Sequence, residues 1–293
     1  MVDLGMVLTA MVTPFKADGS MDYRRAAELA QYLADNGSDG LIVHGTTGES
    51  PTLTHEEEYE LYRVVKKAVG GKIKIIAGTG SNSTATTIKS TKEAEKIGVD
   101  GAMIVVPYYN KPSQEGMYQH YKAVAEATKL PIIIYNIQGR TGVNMTADTV
   151  ARLAKIKNIV GIKEASGNMD QVSEIEGKTP KEFMIYSGDD DRTLEIMKRG
   201  GVGVISVASH IMGKEIRKMC EVFRAGNIAE AEKINARLSP LFKVLFITTN
   251  PTQVKAALNM IGQPVGGLRL PLIEANDSEK EQIRKVLQDL GLL

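Results

Sequence analysis

Two kinds of pattern alternate along the chain. Short apolar runs rich in β-branched residues recur at Val7–Val12, Gly40–Val43, Ile73–Ala77, Ala102–Val106, Ile132–Tyr135, Ile159–Ile162, Phe183–Tyr186 and Val202–Val207. Between them lie segments with helical periodicity. In Tyr23–Leu33, for instance, Ala26, Ala27, Ala30 and Leu33 fall at helical spacings. The others are Glu57–Val69, Thr84–Ile97, Glu115–Ala127, Ala147–Ala154, Asp170–Glu176 and Thr193–Arg199. Several start behind a cap-like residue: Thr54 with Glu57 three positions on, then Ser83, Ser113 and Thr146. Eight strands alternating with helices, each pair taking roughly 25–35 residues, predict an α/β fold of the (β/α)8 TIM-barrel type. A doubly wound open sheet would carry a glycine-rich dinucleotide turn after its first strand. Here that strand ends in Thr13-Pro14-Phe15, and Gly78-Thr-Gly-Ser-Asn-Ser83 lacks the third glycine.

The last third leaves the repeat. From Met212 to Asn259 the pattern is helical almost throughout, broken at Asn250-Pro251, and a final amphipathic helix is expected at Ser278–Leu290. The expected organisation is a catalytic barrel over residues 1–225 and a helical extension over 226–293 packed on it.

Composition narrows the function classes. Lys and Arg total 36 against 35 Asp and Glu, a net charge of +1 that points to neither nucleic acid nor an anionic membrane as partner. The single cysteine, Cys220, excludes an intrachain disulfide and suits a reducing compartment. The apolar run Met6–Val12 is too short for a signal peptide or a membrane span. A soluble cytoplasmic protein is expected. The four histidines (44, 55, 120 and 210) are scattered, with no His-x-His pair, so no metal site is expected.

In a barrel of this kind, chemistry sits where strand ends meet the following loops. Lys163 closes the run Asn158–Lys163, and strand alternation puts Ile159, Gly161 and Lys163 on one face. A lysine there either snorkels to water or, facing a packed interior, loses enough proton affinity to act as a nucleophile on a carbonyl. Other strand ends are also polar. Gly45-Thr-Thr-Gly-Glu-Ser50 follows the second strand, Pro107-Tyr-Tyr-Asn-Lys111 the fourth, and Tyr135-Asn136 with Arg140 the fifth. Gly188-Asp-Asp-Asp191 follows the seventh, and Ser206 and Ser209-His210 the eighth. Each has a plain structural reading: Thr46 and Thr47 as caps, Tyr135 as a core tyrosine, Tyr108 and Tyr109 as surface aromatics. Together they suit carbonyl chemistry. Lys163 would form a Schiff base with a keto acid, and Tyr135 would move protons through Thr46 or Tyr109. The threonine loop would hold a small carboxylate, and Arg140 would grip a second one. A phosphosugar barrel using glycines 200, 201 and 203 is disfavoured by the acidic run Asp189–Asp191 at the same rim.

Over nearly its whole length, from Ala10-Met-Val-Thr-Pro-Phe15 to Leu268-Arg-Leu-Pro-Leu272, the chain resembles the dihydrodipicolinate synthase members of the pyruvate-dependent class I aldolases. That family also holds N-acetylneuraminate lyases and keto-deoxy-sugar-acid aldolases. The motifs are Gly45–Ser50, Pro107–Pro112, Tyr135-Asn136 with Arg140-Thr-Gly142, Ile162-Lys-Glu-Ala165 and Gly203-Val-Ile-Ser206. The resemblance implies that Lys163 forms the Schiff base with pyruvate, with no cofactor. It implies Tyr135 as proton donor and acceptor, Thr46 as relay, Thr47 on the pyruvate carboxylate, and Tyr109 reaching in from a neighbouring subunit of a homodimer or homotetramer. Arg140 would hold the carboxylate of the aldehyde substrate, with Gly188 and Ile205 lining the site. The implied reaction joins pyruvate to aspartate 4-semialdehyde and closes the ring to 4-hydroxy-tetrahydrodipicolinate, an early step of lysine and diaminopimelate synthesis. Thr-Thr at 46–47, the Tyr108-Tyr109 pair and Arg140 favour this over a keto-sugar-acid lyase. The full set of polar residues disfavours a catalytically silent relative.

Three departures from the family pattern stand out. Gln138 replaces the usual proline before Arg140, which frees the unfolded chain by about 0.4–1 kcal/mol and is expected to loosen the presentation of Arg140. Asn250-Pro-Thr-Gln-Val-Lys255 stands for the usual Asn-Pro-Ile-Pro-Val-Lys. Of the positions where lysine-inhibited members bind lysine, His55, Asn82 and Tyr108 are kept, but Glu58 replaces a histidine and Thr86 a glutamate. Weak or absent lysine inhibition is expected.

Overall fold

One strand forms in each of the eight apolar runs: β1 (Val7–Ala10), β2 (Gly40–Val43), β3 (Lys74–Gly78), β4 (Gly101–Val105), β5 (Ile132–Asn136), β6 (Ile159–Glu164), β7 (Met184–Ser187) and β8 (Gly203–Ser206). The structure, a computed structural model, describes residues 2–293. All eight strands pair in parallel in chain order, and β8 closes on β1 with Leu8 opposite Ile205. The expected (β/α)8 barrel is the fold. Closure follows from the sequence. Strands this short and apolar on both faces must be covered on both, by side chains inside and by helices outside.

Inside the barrel, Leu8, Ile42, Ile76, Met103, Ile133 and Ile205 form one cluster with Tyr135 and Tyr186. The intervening residues, such as Ile104, Ile134, Ile162 and Ile185, face the helices. Thr54, Ser83, Ser113 and Thr146 each cap a helix, and Thr54 and Glu57 complete a capping box on helix His55–Val69.

One face assignment is corrected. Ile159 packs outward with Ile162, while Val160 packs inward. The β5–β6 register slips by one residue here, with Ile132 opposite Ile159 but Ile133 opposite Gly161. A bulge of this kind inserts an extra residue and flips the side chains before it. Beyond it, Lys163 lies opposite the inward-facing Tyr135. The slip therefore puts the lysine on the inner face.

Helix Ser209–Arg224 follows β8, and helices Ile228–Val244, Thr252–Met260 and Asp277–Asp289 come after it. Their buried residues Leu238, Leu241, Leu258, Ile283 and Leu287 belong to the same core as Val7, Leu29 and Leu33 of the barrel. Residues 226–293 thus share one continuous core with residues 1–225. No helix among the described residues is long and apolar enough to cross a membrane.

Candidate active site

Lys163 and Tyr135 lie side by side on neighbouring strands, with the Lys163 Nζ 4.2 Å from the centre of the tyrosine ring. The lysine is only 5% exposed. Burial lowers its pKa from the ordinary 10.5 to about 8; Asp189 and Asp190 pull the other way, and Arg140 reinforces the drop. Burial likewise raises the Tyr135 phenol well above its ordinary range, against the opposing pull of Arg140 and Thr46. At neutral pH the tyrosine therefore carries its proton, and a usable fraction of the lysine does not.

The next residue on each strand points outward and fixes this pair. Asn136 Nδ2 donates to Glu164 Oε2 at 3.0 Å and to Asn144 Oδ1 at 2.8 Å. Glu164 also accepts the Ser166 N–H at 2.7 Å and a 3.3 Å bond from Gln171. Gly188 leaves the room Lys163 needs, since a Cβ there would lie 2.6 Å from the Ala165 Cβ and 3.2 Å from the Lys163 Cε. Ile205 is fully buried in the interior cluster. The acidic run is split: Asp191 is exposed and Asp189 half-buried, while Asp190 is buried. Asp190 turns inward to accept from Ser206 Oγ and from the N–H groups of Val207 and Ala208, which ties the β7 loop to the end of β8.

The histidine after β8 is also structural. His210 accepts the Val12 N–H at Nε2 and holds the Val207 carbonyl through Nδ1. Burial lowers its pKa to about 4, so it stays neutral.

The loop after β2 is held from far along the chain. Asn250 Nδ2 donates to Thr47 Oγ1 at 2.9 Å. Glu49 has φ +56° and is fully buried; it accepts from Lys255 Nζ at 2.8 Å and from the Arg269 N–H at 3.0 Å. The Arg269 side chain bonds Glu57, the Thr52 carbonyl and the Gly19 carbonyl. A half-satisfied pair of buried charges would destabilise strongly. Here Lys255 also donates to the Thr13 carbonyl and lies over the Phe15 ring, so its ammonium is well satisfied. These distant partners were not legible as site residues. The only local signal was a polar Asn250 at the break in a helical pattern.

A cleft of about 450 Å³ is lined by Thr46, Thr79, Val105, Tyr108, Ile137 and Arg140; Lys163 and Tyr135 do not line it themselves, but Thr46 and Arg140 act on the Tyr135 phenol. Arg140 sits in the short helix Gln138–Thr141, closed by the Gly142 N–H on the Gln138 carbonyl at 2.9 Å and by Thr141 Oγ1 on the Ile137 carbonyl. Gln138 occupies the first helical position, where proline would fit. The same cleft reaches His55, Glu58 and Thr86. Glu58 is buried, and accepts from the Tyr62 hydroxyl at 3.0 Å with His55 Nδ1 2.9 Å away. Asn82, half-buried, takes the Asn110 amide on its carbonyl and so anchors the Tyr108–Asn110 turn. Lys163, Tyr135, Thr46, Thr47, Arg140, Gly188 and Ile205 thus gather at one end of the barrel. Tyr109 does not. At φ +72° it projects from the chain and is 89% exposed.

This architecture can be set beside known proteins. The model of the dihydrodipicolinate synthetase family matches residues 3–290. The chain belongs to this family. A 4-hydroxy-tetrahydrodipicolinate synthase of Moorella thermoacetica is 58% identical over 99% of both chains. Among solved structures, dihydrodipicolinate synthase from Cyanidioschyzon merolae with lysine bound is 52% identical and superposes with a TM-score of 0.98 over 99% of both chains. The chloride-inhibited dihydrodipicolinate synthase from Acinetobacter baumannii, complexed with pyruvate, is 40% identical with a TM-score of 0.97, over 99% of this chain and 100% of that one. Membership of the dihydrodipicolinate synthetase family makes this chain an enzyme of the lyase type.

Proposed function

We propose that the chain condenses pyruvate with aspartate 4-semialdehyde to 4-hydroxy-tetrahydrodipicolinate, in the cytoplasm, through a Schiff base on Lys163. The observation that carries this is the buried amine, lowered to about 8 and set 4.2 Å from the Tyr135 ring on the adjacent strand. The neutral amine adds to C2 of pyruvate and water leaves, giving a protonated imine. Loss of a C3 proton gives the enamine, the electron-rich carbon the reaction needs. That carbon bonds to the aldehyde carbon of the second substrate while the aldehyde oxygen takes a proton. The second substrate's amino group then displaces the Lys163 nitrogen at C2, which closes the ring and frees the enzyme.

The other residues take roles that fit their positions. Tyr135, protonated at neutral pH, gives and takes protons through Thr46 and Tyr109. Thr47 donates to the pyruvate carboxylate. Arg140, at the mouth of the cleft, holds the carboxylate of the aldehyde substrate in the two-pronged mode of a guanidinium. Tyr109 serves a site in another copy of the chain, so the active form is at least a dimer. Thr86 carries no charge, and Glu58 is already paired inside the chain, which supports weak or absent feedback inhibition by lysine.

The test is borohydride reduction in the presence of pyruvate, followed by peptide mass analysis. A reduced pyruvyl adduct on Lys163 is expected. A well-folded sample with no adduct there would overturn the mechanism.

A further inference from the structure

Asn250 lies in the break between helices Ile228–Val244 and Thr252–Met260, beyond the eight strands of the barrel. It is 5% exposed, and its amide reaches across 203 residues of sequence to donate to Thr47 Oγ1 at 2.9 Å. A threonine hydroxyl has one proton to give and two lone pairs to accept with, whereas an amide nitrogen can only donate. This contact therefore uses the accepting side of Thr47 and leaves its proton for another partner. Among the described residues, Thr47 Oγ1 donates to no protein acceptor. The Asn250 Oδ1 is buried with no partner of its own. An orphaned carbonyl of this kind costs stability, so the residue is ill-chosen as a mere structural spacer. The loop also has a separate anchor, since Glu49 is tied to Lys255 and to the Arg269 backbone. Asn250 is thus free to set the direction of one hydroxyl rather than the shape of the loop.

We propose that Asn250 is a positioning residue for the keto acid: it holds the Thr47 hydroxyl so that its proton points at the substrate carboxylate. The inference rests on the reading of Thr47 as the carboxylate grip. It is tested on the full-length enzyme by comparing KM for pyruvate, KM for the aldehyde and kcat in four variants: Thr47→Val, Asn250→Ala, Asn250→Asp and the Thr47→Val/Asn250→Ala double. Thr47→Val should raise KM for pyruvate roughly tenfold or more, as expected for a lost hydrogen bond to a charged group. Asn250→Ala should raise it roughly three- to tenfold, with KM for the aldehyde unchanged. Asn250→Asp is nearly the same size and guards against a misfolded alanine variant. It should be worse than alanine, because a carboxylate would capture the Thr47 proton and repel the substrate. The double variant should match Thr47→Val alone, since Asn250 acts only through Thr47. If Thr47→Val has its effect but Asn250→Ala leaves KM for pyruvate at the parent value, or multiplies with Thr47→Val, the inference fails and the reading of Thr47 stands. Should Thr47→Val itself leave KM for pyruvate unchanged, the reading of Thr47 falls and takes the inference with it.

Discussion

Lys163 is a residue whose placement opposes stability. An amine protonated in the unfolded chain at 10.5 but only at about 8 in the folded one is a charged group held where water cannot reach it. The sign follows from proton linkage. Between those two values the unfolded chain binds more protons, so stability climbs as pH rises from about 8 towards 10.5. Below about 8 both states carry the proton and the full penalty remains. Each tenfold change in proton affinity is worth about 1.36 kcal/mol. Lys163→Met should therefore be inactive yet more stable than the parent by on the order of 1–3 kcal/mol at pH 7. Its advantage in Tm should shrink when both proteins are measured near pH 10. A methionine variant no more stable than the parent at pH 7 would mean that the amine is better solvated than its surroundings indicate. At this scale the sequence was informative, because a lysine ending an apolar run already hinted at a desolvated amine. The face it occupies was right for an incomplete reason. In Ile159-Val160-Gly161-Ile162 both faces of the strand are apolar, so no alternation marks the bulge.

At the scale of elements, the legible features were those long enough to show a period or a run. Eight apolar runs gave eight strands, and four capping residues gave four helix starts. The short helix Gln138–Thr141 and the 3-10 turns Ser50–Thr52 and Asp190–Arg192 span three or four residues, too few for any periodicity. All three lie on loops at the end of the barrel where the candidate site residues gather. Two longer helices carry the regulatory question. Helix His55–Val69 brings Glu58 to the cleft, and helix Thr84–Ile97 brings Thr86. The Glu58 carboxylate is already engaged by Tyr62 and His55, and a threonine offers an ammonium no counter-charge. Activity titrated against lysine should fall little or not at all through the millimolar range. Full inhibition at sub-millimolar lysine would rule this prediction out.

The whole molecule adds what neither scale contains. Tyr109 is 89% exposed on its turn, and under the proposed mechanism it serves a site in another copy. Mixing two inactive variants, Lys163→Ala and Tyr109→Phe, should restore part of the activity, because one site of each mixed dimer then holds both an intact lysine and an intact tyrosine. No recovery after exchange of subunits would confine each site to one chain. The contacts that escaped the sequence are those spanning the greatest distance along it. Nothing near Thr47 announces Asn250, and nothing near Glu49 announces Lys255 or Arg269, 206 and 220 residues away. That separation has a consequence in time. At roughly 5–20 residues per second, a ribosome that has made Lys163 needs on the order of ten seconds more to deliver Arg269. Until then the nascent chain has its reactive lysine in sequence but not the full set of anchors that holds the threonine loop. A chain cut short before Asn250 is left without any of these anchors, so the grip on a keto acid is built by residues made after the whole barrel.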